Sequence, residues 1–137
     1  MSDKDVIYSK INIIKNCLMA IEKVRLKEKD ADFRQGLYEL NLQRAIQATI
    51  DIAQAVIGHE GLGLPNSYRQ CFEILQNHSV IDPQMASTLK KMVGFRNISV
   101  HDYETVKPEI VDSIVKNHLL DFENFIKIIY ERVQKSW

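Results

Sequence analysis

Arg96, Asn97, His101, Asp102 and Tyr103 fall within eight positions of the run K-K-M-V-G-F-R-N-I-S-V-H-D-Y, which opens on Lys90 and Lys91. An imidazole beside a guanidinium suits phosphodiester cleavage without a metal. The imidazole moves a proton to or from a 2′-hydroxyl or a leaving oxygen, and the guanidinium stabilises charge on a pentacoordinate phosphorus. Asn97 can orient the phosphate or the histidine, and Lys90 and Lys91 can hold an RNA backbone. One histidine is an incomplete device, because transesterification needs a base on one side of phosphorus and an acid on the other. A two-fold pair of chains would bring two Arg96 and two His101 into one cleft. On spacing alone a plainer alternative stays open: Arg96 and Asp102 form a surface ion pair while His101 caps a helix C-terminus.

Geometry constrains the first reading. Residues five apart on a regular helix point about 140° from each other, whereas Asn97 and His101, four apart, share a face. Convergence of Arg96 and His101 within one chain therefore requires the helix to end or distort near Ser99.

The elements that carry this segment read as helices. Ile7, Ile11, Ile14, Leu18 and Ile21 form a one-sided stripe from Asp5 to about Arg25. Asp32 with Gln35 resembles a capping box that opens a second helix. That helix runs to about Ile57, with Gly58 placed as its left-handed terminator. Its apolar set, from Leu37 to Ile57, is wide enough to face two neighbours, as a central bundle helix must. A third helix spans Ser67 to Asn77. Asp82 and Pro83 begin a fourth, and Pro108 begins a fifth that carries apolar residues in one long series to Val133. No strand or repeat signal occurs, so the expected fold is all-α: a single-domain up-down bundle of about five helices over residues 1–137.

Composition bounds the function. The 137 residues suit one domain, and 18 basic residues against 18 acidic ones leave no net charge, so a polyanion must be met by a local patch. Without a spanning apolar run or a leader pattern, the expected location is cytoplasmic. Cys17 and Cys71 lack metal or disulfide spacing and read as core thiols. His59, His78 and His118 have no partner at a metal-ligand interval, and no phosphate-loop, nucleophile-elbow or zincin motif is present. Neither a metal nor a cofactor is expected. On helix two, Asn41, Arg44, Gln47 and Asp51 share a face as a polar ladder that would back the Arg96 cleft or line a dimer interface; a solvated face is the alternative.

R-N-I-S-V-H-D-Y, Arg96 to Tyr103, resembles the R-x4-H-x-Y form of the HEPN-domain ribonucleases found in the HepT toxin family. N-L-Q-R-A-I-Q-A-T-I-D-I-A, Asn41 to Ala53, and L-K-K-M-V-G-F-R-N, Leu89 to Asn97, are similar to that family too. The resemblance implies a HEPN-like helical bundle, a two-fold homodimer with a composite active site, and metal-independent endoribonuclease activity on transfer or messenger RNA. In such type VII toxin–antitoxin pairs the partner is an MntA-type nucleotidyltransferase, which inactivates the toxin by AMPylation of the motif tyrosine. Arg96 and His101 then carry over as catalytic residues, Asn97 as the polar residue that follows the arginine, and Tyr103 as the modified tyrosine. The competing expectations are a catalytically silent helical module that holds a nucleotidyltransferase or RNA, and a Tyr103 packed beneath the turn between helices four and five.

Overall fold

A serine followed three residues later by an aspartate starts the bundle. In the computed structural model, which describes residues 1–101 and 106–137 with His101 as backbone only, Ser2 Oγ accepts from Asp5 N and Ser2 N donates to the Asp5 carboxylate. This reciprocal cap opens α1 (Asp3–Lys27), whose Ile7, Ile11, Ile14, Cys17 and Ile21 are buried at helical spacing. After a short link the chain reverses into α2 (Ala31–Glu60), which buries twelve side chains. It is the central element, flanked by α1, α3, α4 and α5. The antiparallel register of α1 on α2 is visible in paired contacts: Asp3 with His59 and Lys10 with Asp51.

Both ends of α2 differ from the sequence expectation. Asp30, not Asp32, is the N-cap and accepts from Phe33 N. Gln35, freed from a capping role, donates to Asp112 Oδ1 across the bundle at 2.6 Å. At the other end the helix passes through Gly58 and stops at Gly61, where φ is +65°. Gly61 N and Leu62 N both reach back to Ile57 O. The helix continues past Gly58, and Glu60, two residues further on, is held in place by long-range partners described below.

Ser67 caps α3 (Tyr68–Asn77), accepting from Gln70 N. Asp82 accepts from Met85 N at the start of α4 (Pro83–His101). The single long helix expected from Pro108 is two: α5 (Pro108–Asn117) and α6 (Leu119–Ser136), broken at His118 with φ −125° and ψ 2°. The apolar period continues across the break and conceals it. The two pieces bury Val111 and Ile114 on one side and Phe122, Phe125, Ile126, Ile129 and Val133 on the other. Six helices, not five, therefore make up the described residues. Phe72 meets Phe125 edge to face, centroids 6.4 Å apart, in the shared core. Cys17 and Cys71 are buried free thiols, each pushed up by burial. Among the described residues no helix is long and apolar enough to cross a membrane.

One end of the bundle is clasped by polar contacts. Arg132 of α6 donates to both Glu60 oxygens at 2.7 and 2.6 Å, and Trp137 Nε1 donates to Glu60 at 3.2 Å. The Trp137 ring stacks on His59, centroids 3.8 Å apart, and His59 contacts Asp3 at 2.8 Å. The Arg132 hydrogen bonds hold the Glu60 carboxyl below the usual carboxylate range. A depressed folded pKa contributes stability that is present above the unfolded value, about 4.5, and is lost as pH falls through the folded value. Glu60→Gln should therefore cost about 2 kcal/mol in urea unfolding at pH 7. The gap to wild type should narrow as both are titrated below pH 4.5; a gap independent of pH would refute the ionised pair as its source. Gly61→Ala should cost about 1 kcal/mol in the same assay, because a Cβ is strained at positive φ.

Candidate active site

The core stripe of α4 is Met85, Leu89, Met92 and Val93, and Arg96 takes the next position in the same series. An arginine at that point lies at the border of the core. Its side chain is half-buried, with the guanidinium carbon 5.2 Å from the centroid of the Tyr68 ring, contributed by the first turn of α3. Arg96 Nη1 donates to Asn97 Oδ1 at 3.1 Å. Among the described residues no carboxylate pairs with it; its charge is positioned by a ring and an amide oxygen. Tyr68 is the first residue of α3. Nothing local marks it as the ring beneath an arginine 28 positions away.

The helix does not end near Ser99. It runs to His101, because Ser99 is tied to the central helix: its hydroxyl donates to Glu39 Oε1 at 2.6 Å and accepts from Gln43 Nε2. Glu39 and Gln43, one turn apart on α2, are site-supporting residues that the sequence reading missed. With the helix continuous, positions 97 and 101 share a face, and positions 96 and 101 lie about 140° apart. The expected helix end is thus displaced by two residues, from Ser99 to His101. Asp102 and Tyr103 lie outside the described residues.

The two lysines diverge. Lys90 is paired with Glu73 of α3 at 3.2 Å. Lys91 is exposed and opens onto a groove of about 380 Å³ between α4 and α5, beside Met92, Phe95, Glu109 and Ile110.

The helix-two ladder is not one unit. Asn41 is buried and spends its amide on Leu37 O of its own helix, at 2.8 Å. Gln47 donates to Asp51 Oδ1 at 2.9 Å, and Asp51 takes Lys10 at 3.0 Å. Arg44 is exposed, near enough to Cys17 of α1 to offset part of the upward push of burial on that thiol. Arg44 and Asp51 follow the α1 side of α2, while Glu39 and Gln43 face α4. The ladder therefore does not back the Arg96 segment, because one turn of α2 presents different residues to its two neighbours. Among the described residues no three His, Cys, Asp or Glu side chains come together as a metal would need.

Comparison with known proteins agrees with this architecture. A family model described as ribonuclease HepT-like matches residues 7–129. The chain is 42% identical over 131 residues to the mRNA nuclease HepT of Shewanella oneidensis, covering 91% of this chain and 96% of that protein. It is 26% identical over 113 residues to the tRNA nuclease HepT of Aphanizomenon flos-aquae, covering 82% and 77%. It also superposes on the tri-AMPylated S. oneidensis HEPN toxin solved in complex with its MNT antitoxin, with TM-score 0.87 and 40% identity over 96% of this chain and 99% of that one. With the fold, the motif and near-complete coverage in agreement, this chain belongs to the ribonuclease HepT-like family.

Proposed function

We propose that this chain is the RNA-cleaving toxin of a toxin–antitoxin pair, acting in the cytoplasm as a two-fold homodimer. The observation that carries the reading is Arg96: a guanidinium fixed by a ring and an amide, unpaired with any carboxylate among the described residues. Such a cation suits the charge that grows on phosphoryl oxygens as a 2′-hydroxyl attacks. The 2′-oxygen bonds to phosphorus, the bond from phosphorus to the 5′-oxygen breaks, and the products are a 2′,3′-cyclic phosphate and a 5′-hydroxyl. One proton leaves the 2′-oxygen and one reaches the 5′-oxygen. His101 of one protomer serves as base and His101 of its partner as acid, which is why the site needs two chains. Asn97 keeps Arg96 aligned. Lys91, exposed, is available to the RNA backbone, whereas Lys90 is engaged by Glu73.

The S. oneidensis toxin is AMPylated and bound to its MNT antitoxin. By the same logic an MntA-type nucleotidyltransferase silences this chain by transferring AMP to Tyr103. Each AMP adds a phosphate charge and bulk two residues from His101, repelling an RNA backbone.

Purified dimer, shown by mass to carry no AMP, should cleave total cellular RNA in excess EDTA and leave 2′,3′-cyclic phosphate ends. His101→Ala and Arg96→Ala, confirmed as folded dimers, should each lose at least about a hundredfold. Equal cleavage by all three, or by none, would assign the chain to a binding module instead. Incubation with the cognate nucleotidyltransferase and ATP should raise the mass by whole AMP units and abolish cleavage. Tyr103→Phe should stay active and unmodified; AMP added to that variant would overturn the choice of Tyr103.

A further inference from the structure

The first turn of α3 delivers two consecutive side chains to α4. Tyr68 lies under Arg96, and Arg69 reaches Gly94, where a Cβ on the glycine would stand 2.9 Å from Arg69 Nη2. Gly94 sits well inside the 19-residue α4 and needs no unusual backbone angle. A glycine there weakens the helix relative to alanine, and the bare position leaves room for another group to approach closely. The Arg69 guanidinium, lying against the helix at that bare position, is that group. Positions 90, 94, 97 and 101 recur at intervals of four and three, which places Gly94 on the same face of α4 as Asn97 and His101. Arg69 is exposed, unlike half-buried Arg96.

We infer that Arg69 is a further RNA-binding residue of this site, holding a backbone phosphate next to the scissile one, and that Gly94 is the slot that admits it. This rests on the nuclease reading above. The two arginines divide the work. Arg96, stacked and aligned, meets the phosphorus that reacts; Arg69, on the open edge, takes a neighbouring phosphate and sets where the strand lies along α4. A guanidinium suits that role because its planar fork matches two phosphate oxygens.

The test uses the unmodified dimer and a mixed-sequence 2′-O-methyl oligonucleotide, which binds but cannot be cleaved, with affinity followed by fluorescence anisotropy across a salt series. Arg69→Ala should raise Kd about tenfold and make the slope of log K against log salt shallower by about 0.7. Arg69→Lys should recover much of the affinity. On the ribose form of the oligonucleotide, Arg69→Ala should raise KM while kcat stays within about twofold, the pattern of lost ground-state binding. Gly94→Ala separates binding from folding: alanine should hold or raise the thermal midpoint, yet its methyl displaces Arg69 and should weaken binding in the same direction. Unchanged Kd and salt slope in Arg69→Ala would overturn the proposal. So would a lower thermal midpoint in that variant with binding intact, which would reduce Arg69 to a packing contact between α3 and α4. Failure of the nuclease reading would look different: wild type that does not cleave RNA but whose binding still depends on Arg69.

Discussion

Two hydrogen bonds between α2 and Ser99 decide the shape of the candidate site. Ile98 and Val100 on either side of Ser99 are each 46% exposed, so the last turn of α4 has little apolar reason to be helical. Glu39 and Gln43 supply a polar one. Each bond contributes on the order of 1 kcal/mol net, enough to keep a fraying helix end in register when tertiary packing has run out. The central helix, buried along most of its length, is thus also the ruler that positions the motif. The same α2 turn that meets Ser99 sits between residues committed to the core, so Glu39 and Gln43 have little freedom to move.

A continuous α4 has a consequence for how the chemistry is shared. If the helix ended at Ser99, one chain could fold its own histidine toward its own arginine. With the helix intact to His101, positions 96 and 101 lie about 140° apart around its axis, and the proposed chemistry would have half of its acid–base pair in each chain. In the proposed two-fold dimer, a second chain would supply the other half without distorting either helix.

The elements were legible wherever a local rule governed them. Ser67, Asp82, Pro83 and Pro108 start helices where capping and proline chemistry place them, and the apolar stripe of α1 is buried as its period demands. The misses share a physical cause. Asp30 and Asp32 are equally good caps by residue type, so residue type alone does not choose Asp30. Gly58 and Gly61 are equally good terminators, and the Arg132 and Trp137 contacts to Glu60 carried α2 past the first. The break at His118 leaves the apolar period uninterrupted, so periodicity could not reveal it. At the site, the motif itself was visible, but the ring under Arg96 and the α2 residues behind Ser99 come from distant parts of the chain. The polar ladder does not back the Arg96 segment for a related reason: a helical face is a property of one element, whereas α1 and α4 each see their own side of α2.

The contrast between Arg132 and Arg96 shows how one residue type is put to opposite uses in a chain of zero net charge. Arg132 meets both oxygens of Glu60, depresses that carboxyl and leaves little field beyond the clasp. Its role is structural, and replacing the pair with apolar groups of similar shape is in principle tolerable. Arg96 is held by an aromatic face and an amide oxygen, both of which restrain it without supplying a negative charge. Among the described residues no carboxylate takes up its charge, and in the proposed function that field meets substrate phosphates. A bundle with balanced charge can attract a polyanion only where its cations are positioned by neutral groups, and the junction of α3 with α4 is built in that way.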